Sequence, residues 1–179
     1  MSLREFIAEV QTTGIARSNR YEATIQFPDA LQGAAGLIDK RLRLYCSKVS
    51  IPTISYMTWE SQTYGETRTA PYQKKFDPIS LTFYMDQDFG IKKIMDAWMS
   101  YCFDSKTRLS RYYEEYAMPC RIDLEVYNVD ELIPPYVIIF YEVYPKAVQE
   151  IQLDAGRQDA LTLNVTFNYK YYMVNGVDG

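Results

Sequence analysis

From Leu161 to Tyr172 the chain reads LTLNVTFNYKYY, with apolar or aromatic residues at every odd position through Tyr171 and with Thr162, Asn164, Thr166, Asn168 and Lys170 between them. A period of two residues is the mark of a β-strand with one packed face and one wet face. At the antiparallel rise of about 3.4 Å per residue, such a strand reaches on the order of 37 Å, well past the usual five or six residues. That length suits a ribbon in a large sheet or barrel better than a compact catalytic fold.

The alternation recurs. Arg20–Phe27 sets Tyr21, Ala23, Ile25 and Phe27 against Glu22, Thr24 and Gln26, and Arg41–Cys46 sets Leu42, Leu44 and Cys46 against Arg41, Arg43 and Tyr45. Pro78–Asp86 and Cys120–Val126 repeat it through Ile79, Leu81, Phe83 and Met85, and through Ile122, Leu124 and Val126. All four read as half-buried antiparallel strands. Tyr136–Tyr144 differs, because Val137–Tyr141 is an unbroken apolar run. A strand of that kind is covered on both faces, by a second layer or by a second subunit.

Helical spacing appears twice. Ser2 and Glu5 form a capping box ahead of Leu3, Phe6, Ile7 and Val10, which predicts a short amphipathic helix ending before Gly14. About nine residues are marginal for an isolated helix, so its stripe needs a partner. A stronger helix is predicted over Asp88–Cys102, with Ile91, Ile94, Met95, Trp98 and Cys102 on one face, capping one face or end of the sheet. Between these, Tyr56–Tyr64 and Glu66–Tyr72 read as two extended arms around Gly65, poor in aliphatic residues: a hairpin over residues 55–73 that projects from the body. Asp104–Pro119 and Asn128–Pro135 read as loops, the first holding a short helical turn. The expected fold class is α+β, mainly antiparallel β, and the 179 residues are read as one elaborated domain.

Composition narrows the function. A formal net charge of −4 argues against a sequence-reading nucleic-acid binder, which carries a basic patch. No apolar run approaches the 18 to 20 residues of a membrane helix, and Arg4 and Glu5 stand where a signal peptide is apolar, so neither a membrane partner nor secretion by the usual route is expected. Cys46, Cys102 and Cys120 lie far apart and read as buried free thiols in a reducing compartment. Seventeen tyrosines and eight phenylalanines raise the expectation of extensive self-association, since amphipathic rings are favoured at protein interfaces, although strand propensity accounts for part of that excess.

The chain has no histidine, which removes Ser-His and Cys-His catalysis, His-ligated zinc and imidazole proton shuttling. The close carboxylates Asp86 with Asp88, and Glu114 with Glu115, are explained more simply by a helix N-cap and a charged loop than by acid–base chemistry. No phosphate-binding glycine loop is present. The reading is a structural or binding protein and not an enzyme, with no cofactor and no metal.

Four stretches taken in order carry a resemblance: GIARSNRYEATIQFP after the short N-terminal helix, LYCSKVSIP on the next strand, FDPISLTFYMDQDFGIKKIMDAWM running from strand into helix, and LTLNVTFNYKYY at the end. Together they resemble the tail-tube proteins of contractile bacteriophages of the T4 type, over about Leu3 to Tyr172. The resemblance implies a β-sandwich or barrel whose long strands join a ring-wide inner barrel, with one main α-helix and a short N-terminal helix. It implies homohexameric rings stacked into a tube inside a contractile sheath, with baseplate and tape-measure proteins as further partners. Genomic DNA would pass through the lumen without sequence recognition, in a virion tail assembled in the host cytoplasm.

On that frame, Leu3, Phe6, Ile7, Val10, Tyr56, Trp59, Tyr64 and Tyr72 are the expected contacts between subunits or rings, and Thr162, Asn164, Thr166, Asn168 and Lys170 face the lumen or outer solvent. Asp104–Pro119 and Asn128–Tyr136 have no clear counterpart in the family. They keep open a tube-initiator or baseplate-adaptor ring, and related tubes of phage-like secretion or injection machines share the fold. A self-contained barrel that binds a small ligand is the competing class, and it requires inward faces lining a cavity within one chain.

Overall fold

The computed structural model describes residues 3–5, 7, 17–61, 65–128, 136–154, 156, 159–175 and 177–178. Strand β1 (Tyr21–Gln26) leads through a 3₁₀ turn (Asp29–Leu31) into helix α1 (Gln32–Tyr45), which runs directly into β2 (Cys46–Ser50). Strands β3 (Ile54–Ser61), β4 (Arg68–Phe76) and β5 (Ile79–Tyr84) precede α2 (Gly90–Cys102) and the one-turn α3 (Tyr113–Tyr116). The chain closes with β6 (Arg121–Val126), β7 (Tyr136–Tyr141), β8 (Tyr144–Val148), β9 (Thr162–Asn168), β10 (Tyr171–Val174) and β11 (Val177–Asp178).

Every pairing is antiparallel. One sheet has the order β1-β6-β7-β10-β11, a second β2-β5-β9-β8, and β3 and β4 pair by themselves. The core lies between the two larger sheets. Ile25, Ile122, Leu124, Ile138 and Phe140 of the first face Ile79, Leu81, Phe83, Leu163, Val165 and Phe167 of the second, all buried. At about 1.5–3 kcal/mol of transfer free energy for each buried side chain of this size, this dry layer is the main source of stability. Trp98 of α2 is fully buried, its ring 5.0 Å from that of Phe27 and 5.8 Å from that of Phe167, which seats the helix on the core.

Several expectations are corrected. Arg41–Cys46 is not a strand: Arg41 to Tyr45 form the last turn of α1, and only Cys46 begins β2. The helical spacing of Ala35, Ile38 and Leu42, with Ala35 and Leu42 buried, outweighs the local alternation of Leu42, Leu44 and Cys46. Leu44 is therefore 69% exposed instead of inward. The long last strand is two strands. Phe167 is buried, the ladder breaks at Tyr169 and Lys170, and the phase then flips, so that Tyr172 and not Tyr171 faces the core. Tyr136–Tyr144 breaks likewise at Glu142, whose φ of 55° turns the chain from the first sheet into the second. Ile138 and Phe140 of that run are covered by the second sheet, whereas Val137, Ile139 and Tyr141 lie on the opposite face.

The helix predicted over Asp88–Cys102 is present from Gly90, burying Ile91, Ile94, Met95 and Trp98. Its N-cap is Phe89, in the left-handed region at φ 53° and without a side-chain cap, so neither Asp86 nor Asp88 has the capping role expected of it. Of the three free thiols Cys120 is buried, while Cys46 and Cys102 are half-buried. Burial pushes the Cys46 and Cys120 thiols up to about 12 and that of Cys102 up to about 11.

Candidate assembly surfaces

The outer face of the β2-β5-β9-β8 sheet is built by the same alternation that builds the core. Because Leu163, Val165 and Phe167 point inward, Thr162, Asn164, Thr166 and Asn168 point outward. Thr166 lies opposite Ser80 of β5, with their hydroxyl oxygens 3.4 Å apart, and Asn164 lies opposite Thr82. The Asn168 amide donates to the Tyr144 hydroxyl at 3.1 Å. Thr162 is exposed, and Asn164, Thr166 and Asn168 are half-buried by their neighbours in the sheet. Lys170 leaves this row at the corner and pairs with Glu142 at 2.8 Å. The result is a row of uncharged hydroxyls and amides along β5 and β9 that water solvates, with the exposed Lys48 of β2 beside it opposite Thr82.

The hairpin has the opposite character. β3 and β4 pair over their whole length with one register shift between Met57 and Thr58, and Gly65 stands between them at φ +114°, a conformation only glycine adopts without strain. Its side chains are mostly exposed, Tyr56 at 62%, Trp59 at 53% and Tyr72 at 59%. An isolated two-stranded ribbon is marginally stable in water, so these rings need a partner surface. At the N-terminus, Leu3 and Ile7 are helical and exposed. Phe6, Val10 and Tyr64, as well as the capping Ser2 and most of the 128–135 connection, lie outside the described residues.

Two apolar surfaces carried no advance signal. Leu37 and Leu44 form an outward stripe on α1, 84% and 69% exposed, and Leu109 and Tyr112 project from the segment between α2 and α3. The i, i+7 spacing of the leucines is the signal of the first, and it becomes visible only on a helix. The second stands in a loop, where periodicity has nothing to report.

Several charged groups near these surfaces are committed to local pairs. Arg41 lies 3.1 Å from Asp86 and 3.4 Å from Asp88, which ties α1 to the turn before α2 and accounts for those two carboxylates. A polar groove of about 820 Å³ opens beside β1 and the end of α1, and its Arg43 is paired with Asp39 and Glu22. Among the described residues no group of three or more His, Cys, Asp or Glu side chains is placed to hold a metal ion, and no helix is long and apolar enough to cross a membrane.

Residues 16–175 match the family model for phage tail tube proteins. A chain of the PVC extracellular contractile injection system, from its sheath–tube complex in the extended state, superposes with a TM-score of 0.66 at 14% identity, covering 99% of each chain. A chain of the anti-feeding prophage (AFP) baseplate, solved by cryo-EM with sixfold symmetrisation, superposes with a TM-score of 0.66 at 15% identity, over 91% of this chain and 97% of that one. An Hcp protein in a crystal structure does so with a TM-score of 0.50 at 10% identity, over 87% and 93%. At these identities the likeness is one of fold. No curated protein matches the chain in sequence.

Proposed function

The chain belongs to the phage tail tube protein family, and from that premise we propose that it is a structural subunit whose copies form hexameric rings that stack into the tube of a contractile phage tail. The observation that carries this reading is the two-faced β2-β5-β9-β8 sheet, dry on one side and lined with Thr162, Asn164, Thr166 and Asn168 on the other. Six such faces turned inward make a wide wet lumen in which hydroxyls and amides predominate and the exposed Lys48, opposite Thr82, adds a cation, so a polyanion meets little fixed positive charge to grip it. Joining strands into one ring-wide barrel also removes the exposed sheet edges that otherwise invite aggregation.

In this reading the N-terminal stripe of Leu3, Phe6, Ile7 and Val10 and the hairpin rings Tyr56, Trp59, Tyr64 and Tyr72 supply contacts between subunits and rings. Sheath, baseplate and tape-measure proteins are the heterologous partners, DNA is cargo, the subunit is not an enzyme, and the particle is a virion assembled in the host cytoplasm. The Asp104–Pro119 segment favours a second reading, a tube-initiating or adaptor ring at the baseplate, because an added element on one ring type is what a junction requires. Negative-stain microscopy with analytical ultracentrifugation of the purified protein tests both. Tubes support the first reading, single rings the second, and a strict monomer across concentration and salt contradicts the two together.

A further inference from the structure

We propose that the Asp104–Tyr112 turn of one copy docks on the outer face of β7 and β10 of the next copy around the ring. The inference rests on the ring reading and assigns it a specific pair of surfaces.

The receiving face is a strip of half-buried apolar side chains on the side of the sheet turned away from the core. Val137, Ile139 and Tyr141 of β7 alternate with the buried Ile138 and Phe140, so they point away from the core. Register places Tyr171 beside Tyr141 and Met173 beside Ile139, and the two tyrosine rings stack at 4.9 Å and 14°. The two long helices pack on β1, β5 and β8, not on this strip. Its border on β6 carries two carboxylates and one cation, Arg121, which lies opposite Tyr141. On β6, Asp123 lies opposite Ile139 and Glu125 opposite Val137, and Glu125 in turn faces Glu22 of β1, like charge against like. Asp123 accepts from Arg121 through one carboxylate oxygen at 3.2 Å, while its other oxygen is buried with no hydrogen-bond partner. An occupant that suits this face is apolar at its centre and cationic at its margin.

The turn between α2 and α3 has that chemistry. Leu109 and Tyr112 are 69% and 80% exposed, and Lys106 and Arg108 form no ion pair among the described residues. The turn is held in shape before any partner arrives. Asp104 accepts from the Lys106 amide and the Thr107 hydroxyl, each at 2.9 Å, its carbonyl accepts from the Arg108 amide at 2.8 Å, and Phe103 bridges to Ser110. Arg108 is kept at φ 56°, a strained position for a non-glycine residue of the kind that concentrates at binding sites. A preorganised loop loses little freedom on docking. Because turn and face belong to one chain, the contact is head-to-tail, and repetition about a rotation axis closes it into a ring.

The test uses two full-length single variants, Leu109→Cys and Ile139→Cys, mixed in equal amounts under assembling conditions and treated with a short bismaleimide. A cross-linked dimer in the mixture, absent from either variant alone, is the expected result, and it controls for the native Cys46, Cys102 and Cys120. Adding Arg108→Glu to the first variant should cut the dimer yield several-fold, and adding Asp123→Lys to the second should restore it. If Ile139→Cys fails to fold, Met173→Cys on the same strip replaces it. Rings seen by sedimentation without the cross-link overturn this docking and leave the ring reading standing. Monomers alone overturn both.

Discussion

Lys170 Nζ lies 2.8 Å from Glu142 Oε1 at the corner where both halves of the longest ribbon change sheets, β7 into β8 on one side and β9 into β10 on the other. The Lys170 amide also donates to the Tyr141 carbonyl at 3.1 Å, so the two turns are held to each other by backbone as well as side chain. Glu142 is only 12% exposed at its side chain, and one of its oxygens is buried with no hydrogen-bond partner. Tyr113 of α3 sits against the same corner, and burial first, then the Glu142 carboxylate, push its phenol up to about 12. The pair therefore ties the two turns together, and Glu142 links them through Tyr113 to the segment between α2 and β6.

The two members of the pair should be energetically coupled. Lys170→Ala leaves a largely buried carboxylate without its partner, an effect of about 1–3 kcal/mol, whereas Lys170→Ala with Glu142→Gln should lose less than the two single changes summed. Urea denaturation of the four proteins measures this. A Lys170→Ala cost within about 0.5 kcal/mol, the range of an ordinary surface change, would show that the corner is held by backbone alone.

The register of β9 predicts a sharp contrast between the two faces of one strand. Phe167 is fully buried and stacks near Trp98, so Phe167→Ala should cost about 3–5 kcal/mol. Thr162 is exposed on the other face, and Thr162→Lys should change subunit stability by about 0.5 kcal/mol or less. Equal shifts in the denaturation midpoint would refute the assignment of faces.

Much of this was legible because burial writes itself into alternation. β1, β5, β6 and the first part of β9 each show the period of two that their packed faces require, and α2 shows the helical stripe of Ile91, Ile94, Met95 and Trp98. The failures have equally local causes. Leu42 serves both the helical series from Ala35 and the alternating series to Cys46, and a window begun at Arg41 sees only the second. The bends at Glu142 and at Tyr169 to Lys170 contain neither glycine nor proline, so nothing in composition marks where the ribbon folds over. The assembly surfaces were half readable. The polar row and the hairpin follow from pattern, but the strip of Val137, Ile139, Tyr141, Tyr171 and Met173 joins two strands distant in sequence, and only their pairing reveals it.

Alkaline pH should unfold the subunit earlier than its content of Lys and Arg would indicate. The Cys46 and Cys120 thiols rise from an ordinary 9.0 to about 12 and Cys102 to about 11, while the Tyr113 phenol rises from 10.0 to about 12. For each, the folded state keeps a proton that the unfolded chain releases. Stability is therefore unaffected below about pH 9 and declines as pH rises from there toward 11 or 12. Denaturant midpoints at pH 8, 9.5 and 10.5 should fall with increasing slope. The same burial predicts slow alkylation of the native thiols at pH 8 until the protein is unfolded. A flat midpoint across that range, or fast labelling of folded protein, would contradict the burial of these groups.

Growth along the tube axis should depend on the hairpin and the N-terminal stripe and not on the subunit core. Tyr56, Trp59 and Tyr72 are exposed on a ribbon that adds nothing to the dry layer between the two large sheets, although Phe76 at its base does touch the rings of Tyr169 and Tyr172 at 5.8 and 5.7 Å. Cutting β3 and β4 back around Gly65 while keeping Ile54 and Phe76 should therefore leave the circular dichroism spectrum and thermal midpoint of the subunit close to those of the parent. Deleting Met1 to Gln11 should do the same, because Leu3 and Ile7 are exposed. What should disappear is stacking, since a few aromatic and aliphatic anchors carry most of the energy of an interface. Tube length by electron microscopy, read beside circular dichroism of the same samples, separates the two effects. Full-length tubes from both truncations would sink the assignment of these segments to ring stacking, and loss of the β-signal would place them in the subunit's own core.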